Sequence, residues 1–359
     1  MRQEELSAVV LSENSRSRYV SGYQRYYTAT YLPFVHAVVM TMNAGPVLLL
    51  PRQTMQSAEE CIAEKAVEFP QSQEGKIETL ASVLGELGVQ SKRIGMEFDF
   101  LHYGFLASLK ERLHDAEIAD VSSLMTKVTA VKFPEEVELL RQAAHIADKG
   151  TDVAIKAAVE GASELEVAAL SSDCMLRGGA EFINHMTVRA GPHAVGNYPI
   201  PTQRIIQKGD CVMIDLGCVY QGYVSDMNRT IVVGTPTDEQ RELIHVGQEM
   251  LEQGIAAVRA GVFASEVWRA SFEVAERAGM ADRVIIPFTG HGVGISLHEE
   301  PYIKPDSDII LEEGMVLALE PGVYVAGIGG CRPEDMLVVT ATGAEVLTHY
   351  PSVYELLQS

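Results

Sequence analysis

Residues 211–230 read CVMIDLGCVYQGYVSDMNRT. Two carboxylates, Asp215 and Asp226, interrupt apolar or alternating runs that read as strands over 211–216 and 220–233. An ionised carboxylate costs several kcal/mol to bury without a partner, and these runs contain few basic residues. A turn within 216–225, with its tip at Tyr220-Gln221-Gly222, would bring the two acids together between antiparallel strands. Working outward, GHGVGISLHEEP at 290–301 carries His291 and His298, with glycines that let backbone and ligand approach closely. MVLALEPG at 315–322 carries Glu320, and GCRPEDMLVV at 330–339 carries Glu334. One histidine with four carboxylates is an oxygen-rich donor set. It favours Mn, Co, Fe or catalytic Zn over a closed structural zinc site. Four negative charges call for two divalent ions, and two ions ~3.5–4 Å apart can bridge a hydroxide and polarise a carbonyl.

The rest of the chain sets the frame. Its 359 residues, at roughly 150 per domain, predict about two domains. The 28 Lys+Arg against 49 Asp+Glu give a formal charge of −21, which argues against nucleic acid or an anionic membrane as partner. No apolar run approaches the ~18 residues of a membrane span. No basic segment followed by a long apolar stretch marks a secretory leader. The five cysteines are odd in number, scattered and without a CxxC pair. Disulfides and a Cys-based zinc site are therefore not expected, and a reducing cytoplasm fits.

The first third predicts strands at 8–11, 36–42, 46–50, 93–97 and 117–121, and helices at 57–67, 76–87 and 101–114. That is a small α/β domain, 1–128. The boundary falls within 122–134. Pro134 opens a long helix over 135–160, which Gly161 ends. Ser163-Glu164-Leu165-Glu166 and Thr237-Asp238-Glu239-Gln240 are capping boxes. With further strands at 315–319 and 336–340, residues 129–359 form an α+β domain of paired helices on a sheet.

Other candidates have plainer readings. His36, His102, His114, His145, His185, His245 and His349 read as satisfied core or surface residues. GHGVG does not match a phosphate-binding loop, and residues 294–298 lack the second glycine of a nucleophile elbow. Cys218 and Ser225 read as packing around the site.

The order Asp215, Asp226 eleven residues later, His291 in GHGVG, Glu320 in EPGVY and Glu334 in RPED resembles the pita-bread metallopeptidases. That superfamily includes methionine aminopeptidase, aminopeptidase P, prolidase and creatinase. RYVSGY at 18–23 is similar to a motif early in their creatinase-like N-terminal domain, so the likeness covers nearly the whole chain. It implies a creatinase-like domain at 1–128 and a pita-bread catalytic domain at 129–359. It also implies cleavage of Xaa-Pro bonds in dipeptides or short peptides, in a homodimer. Asp215, Asp226, His291, Glu320 and Glu334 would be metal ligands, with Asp226 and Glu334 bridging. Glu320 would also shuttle the proton. His298 would bind substrate and stabilise the tetrahedral intermediate. Arg332 would bind a substrate carboxylate or a ligand acid through its planar fork.

The pattern departs at one place. Prolidase-like members carry a histidine about seventeen residues before the first Asp, where this chain has Tyr198, with His193 five residues earlier. A phenol can donate a hydrogen bond to an oxyanion but cannot carry positive charge. Tyr198 and His193 are thus candidate substrate contacts. The departure also keeps open a small non-peptide amide or compatible solute as substrate, as in creatinase and ectoine hydrolases.

Overall fold

The structure, a computed structural model, describes residues 1–23, 35–196 and 200–352. It divides into two compact units, Met1–Val128 and Thr129–Ser359. Among the described residues, no helix is long and apolar enough to cross a membrane.

In the first unit, β1 (Ala8–Leu11), β2 (Ala37–Thr41), β3 (Val47–Pro51), β4 (Lys65–Phe69), β5 (Arg93–Met96) and β6 (Glu117–Asp120) form one sheet. Its order is β4-β3-β2-β1-β5-β6. The helices are α1 (Asn14–Ser21), α2 (Gln73–Glu86), α3 (Tyr103–Arg112) and α4 (Ser122–Ala130). Alternate strand residues such as Ala8, Val10, Val39 and Leu49 meet Leu80 and Leu84 of α2 and Leu109 of α3 in one buried core.

The helix expected over 57–67 does not form. Arg52–Glu60 is 3-10 helical, and Lys65–Phe69 is β4, paired in parallel with β3 from Val47↔Lys65 to Pro51↔Phe69. Pairing with a fully buried strand outweighs the local periodicity.

The second unit is two similar halves. In the first, α5 (Pro134–Ala157) packs on α6 (Glu164–Arg177). They cover a sheet of β7 (Phe182–Ala190), β8 (Cys211–Tyr220) and β10 (Met227–Val232), in the order β10-β8-β7, with the short β9 (Tyr223–Val224) also on β8. α5 buries Leu140, Ala143, Ala144, Ala147, Thr151 and Ala154, the i, i+3, i+4, i+7 stripe of a core-facing helix. In the second half, α7 (Asp238–Ala257) packs on α8 (Ala264–Arg277). Its sheet holds β11 (Gly290–Gly292), β12 (Val316–Leu319), β15 (Asp335–Val339) and β16 (Ala344–Val346) in that order; β13 (Val323–Val325) and β14 (Gly329–Cys331) pair separately. Both capping boxes form: Ser163 Oγ accepts from Glu166 N, and Thr237 Oγ1 accepts from Gln240 N.

The halves join near the strands that carry the conspicuous acids. Glu334 N donates to Asn228 O at 3.0 Å. Arg229 of β10 donates to the carbonyls of Glu334 (2.6 Å), Tyr350 (2.8 Å) and Pro351 (3.1 Å), and to Asp335 Oδ1 (2.7 Å). One guanidinium thus ties both halves to the segment that follows Thr348.

Candidate metal centre

The β8–β9 hairpin has a two-residue turn at Gln221 (φ 47°) and Gly222 (φ 89°), between paired Tyr220 and Tyr223. Both positive φ values make it the turn type whose twist matches the flanking strands. β10 then returns along β8, with Met227↔Leu216 and Asn228↔Asp215 in register. In an antiparallel pair, directly opposed residues share a face, and each strand alternates with period two. Asp215 therefore lies on one face with Asn228, and Asp226, two residues before Asn228, continues that face. On the other side of β8, Thr187↔Asp215 and His185↔Gly217 extend it to β7. His291 comes from β11, Glu320 directly follows β12, and Glu334 directly precedes β15. Glu320 N donates to Thr289 O at 2.9 Å, which fixes it beside β11.

All five expected ligands are buried, with His291 fully inaccessible and Glu334 at 1 % exposure. Asp226 faces two ways. Its Oδ1 lies 3.1 Å from His185 Nε2, and its Oδ2 lies 3.5 Å from His291 Nε2. His291 Nε2 is 3.4 Å from Glu320 Oε1. Two groups of candidate donors emerge, His185 with Asp215 and Asp226, and Asp226 with His291 and Glu334. Asp226 belongs to both.

The donors are left incomplete by the protein itself. His291 Nε2 and both carboxylate oxygens of Glu334 are buried with no hydrogen-bond partner, although buried polar groups are ordinarily satisfied. Burial, then the charges of Asp226, Glu320 and Asp215, push Glu334 well above the usual carboxylate range, and Arg332 offsets this only in part. Oxygen and imidazole donors that face one another without hydrogen-bond partners among the described residues fit divalent cations.

Guanidinium groups balance part of the charge. Arg332 pairs with Asp215 and, through Nη1, with Glu320 Oε2 at 3.1 Å. Arg189 of β7 reaches Asp215 Oδ2 at 3.3 Å. Burial alone would raise Asp215, but Arg332, His185 and Arg189 hold it well below its ordinary value.

His298 lies in the loop after β11, its ring centroid 4.0 Å from that of His291 and 6.1 Å from that of Tyr302. The residue reaches solvent. Desolvation of the ring and then the charge of His291 lower its pKa, so it is neutral at pH 7. The loop is braced by a buried ion pair between Lys132 Nζ and Glu299 Oε2 at 2.8 Å, and Glu299 Oε1 accepts from Ser296 N.

Cys218 and Ser225 are buried behind the hairpin, with Cys218 N donating to Ser225 Oγ at 3.0 Å. The structure puts His193 on a 3-10 turn after β7, with Nδ1 2.9 Å from Glu164 Oε1. Tyr198 lies outside the described residues.

The sequence reading made His185 a satisfied core or surface residue and did not place it beside the acids, where the structure puts it. Its Nε2 lies 3.0 Å from Asp215 Oδ1 as well as 3.1 Å from Asp226 Oδ1. Burial opposes its charge, but Asp226 and Asp215 outweigh that and raise its pKa to about 10. Arg189 was likewise unforeseen. The available signal was the alternation of polar residues His185, Thr187 and Arg189 along a strand.

Comparison with known proteins gives the same frame. Residues 138–341 match Metallopeptidase family M24, and residues 1–131 match the Creatinase/Prolidase N-terminal domain. The Xaa-Pro dipeptidase of Pyrococcus furiosus is 35% identical over 264 residues, covering 73% of this chain and 75% of the relative. The Xaa-Pro dipeptidase of Pyrococcus horikoshii is 30% identical over 349 residues, covering 97% and 94%. The crystal structure of the prolidase from Pyrococcus horikoshii OT3 superposes with a TM-score of 0.87 at 29% identity, over 98% of this chain and 96% of that one.

Proposed function

Because this chain belongs to metallopeptidase family M24, with a creatinase-type N-terminal domain and a pita-bread catalytic domain, we propose that it is an Xaa-Pro dipeptidase working through a dinuclear metal centre. The observation that carries the reading is Asp226, which offers one oxygen to each of two donor groups while Glu334 brings two unpartnered oxygens to the same place. In this reading the domains are 1–128 and 129–359. Asp215, Asp226, His291, Glu320 and Glu334 hold two divalent ions drawn from Mn, Co, Fe or Zn. When bound, such a pair supplies a hydroxide nucleophile at neutral pH and polarises the scissile carbonyl.

The chain's own residues do the rest. Glu320 accepts the proton of the attacking water and passes it to the leaving proline nitrogen. Its contact with Arg332 holds the carboxylate in place for both transfers. His298, neutral at pH 7, donates a hydrogen bond to the oxygen that becomes negative in the tetrahedral intermediate. Arg332 serves the ligand acids Asp215 and Glu320. Tyr198 and His193 remain candidates for substrate contact. The five free cysteines support a reducing compartment such as the cytoplasm. A homodimer is the assembly proposed, and light scattering tests it.

The deciding experiment strips the protein of metal, reloads it with Mn²⁺ or Co²⁺, and follows proline release from Xaa-Pro dipeptides, Xaa-Pro tripeptides and matched non-proline peptides. Metal-dependent cleavage of the dipeptides alone establishes the dipeptidase. Cleavage of the tripeptides moves the assignment to aminopeptidase P. Survival of every peptide overturns the peptidase reading. It would favour the same centre acting on a small non-peptide amide, to which Tyr198 in place of the family histidine already points.

A further inference from the structure

We propose that His185 is a sixth protein ligand, binding the ion held by Asp215 and Asp226. The inference rests on the dinuclear reading above and goes beyond its five residues. Its first support is distance. Donor atoms each about 2.0–2.2 Å from one ion and at right angles to each other lie about 3 Å apart. His185 Nε2 is 3.0 Å from Asp215 Oδ1 and 3.1 Å from Asp226 Oδ1. On the other side of Asp226, His291 Nε2 stands 3.5 Å from Oδ2 and 3.4 Å from Glu320 Oε1. The two imidazoles therefore flank Asp226 in the same manner, one per oxygen.

The second support is the space made for the ring. His185 faces Gly217 across the β7–β8 pair. A Cβ at Gly217 would run into the carbonyl oxygen of Ser225 and the ring of His185. Only glycine lets this imidazole lie over β8 and reach both acids. The other ring nitrogen, Nδ1, is buried and makes no hydrogen bond among the described residues. The hydrogen-bond and ion-pair contacts of the ring thus all run through Nε2 to carboxylates already assigned to metal. A strand position that faces Asp215 and Asp226 with one nitrogen is a ligand position. The consequence is a centre with one imidazole per ion, which shifts preference toward Co, Fe or Zn and away from the all-oxygen environment that suits Mn.

Cobalt is the probe. The metal-free protein is titrated with Co²⁺, and the coordinated imidazoles are counted from ring-proton NMR signals shifted far outside the ordinary range by the paramagnetic ion. Wild type is expected to bind two ions and to show two coordinated imidazoles. His185→Ala should lose one set of shifted signals, and His291→Ala the other. In His185→Ala the affinity for one ion should fall about 100-fold or more, beyond the 10–100-fold that loss of an outer hydrogen-bond partner brings. His185→Gln, close in size and able to donate to both acids, should lose the same signals. It carries the test if the alanine variant does not fold, as checked by thermal unfolding of the metal-free forms. A wild type with two ions but one coordinated imidazole, or a His185→Gln protein that keeps both sets, overturns the role of His185 and leaves the dinuclear reading standing. A wild type that binds no Co²⁺ overturns both.

Discussion

The N-terminal unit and the catalytic unit each bury a glutamate, and they treat it differently. Glu97, directly after β5, is fully inaccessible. Its Oε2 accepts from the backbone amides of Ser12 (2.6 Å) and Glu13 (2.9 Å), and its Oε1 lies 3.3 Å from Arg16. Burial still raises its pKa, against the pull of those amides and Arg16. Glu334 is as deeply buried, yet neither of its oxygens has a hydrogen-bond partner. A buried acid whose lone pairs are filled by the chain is part of the scaffold. One whose lone pairs are not filled by the chain, beside Asp226 and His291, is instead a candidate donor to a cation, as proposed above.

The sharpest way to break this contrast is to neutralise the catalytic acids. Asp226→Asn should lower kcat/KM roughly 10³-fold or more, about 4 kcal/mol of transition-state stabilisation. Near-wild-type turnover in that variant would remove Asp226 from the centre. A chelator comes next. At metal concentrations near 100 times the dissociation constant, bound ions add about 2.7 kcal/mol of stability per site. Metal removal should therefore lower the unfolding midpoint of the catalytic unit. An unchanged midpoint in calorimetry would mean that the folded unit does not bind the ions.

The third test reads a difference in sign. Glu97→Gln can keep an oxygen toward the amides of Ser12 and Glu13 but sets a donor NH2 against Arg16 and loses the ion pair, and should destabilise the N-terminal unit by about 1–3 kcal/mol, with metal content untouched. Glu334→Gln in the metal-free protein replaces a carboxyl that burial already pushes toward its neutral form, and should leave stability level or raise it by up to about 1 kcal/mol. Urea titrations of both variants check this, and equal losses would erase the distinction. The smallest effect lies at the rim of the Glu97 site. Arg16 and Ser122 hold Asp99 below its ordinary pKa against the raising effect of burial. Its stabilisation is thus present above the unfolded value near 3.9 and lost as pH falls through the folded value. The Arg16–Asp99 pair is partly exposed, so Asp99→Asn should cost about 0.5 kcal/mol at pH 7. That gap should close below about pH 4, and a gap that widens in acid would contradict the assignment.

Much of this was legible in the sequence because the signals are local. Asp215, Asp226, His291, Glu320 and Glu334 each sit in a short apolar or glycine-rich context that makes a charge conspicuous. The capping boxes at Ser163 and Thr237 declare themselves within four residues. His185 was not legible in this way. It stands thirty residues before Asp215, and a register irregularity between Ile183 and His185 helps set its face. Its neighbours are decided by pairing, which no window of sequence contains. β4 hid for the same reason: residues 57–67 carry helical spacing, and only β3 beside them makes Lys65–Phe69 a strand.

The order of the candidate ligands along the chain has a consequence for how the enzyme is made. Asp215 and Asp226 leave the ribosome roughly a hundred residues before Glu334, about 5–20 s at ordinary rates of elongation. Arg229 closes its contacts with Tyr350 and Pro351 only after that. Through that interval β7, β8 and β10 can pair, and that pairing already sets His185 opposite the first two acids. The first two acids of the candidate centre are thus set in place early, while Glu334 and the contacts of Arg229 wait for the last strands to be synthesised.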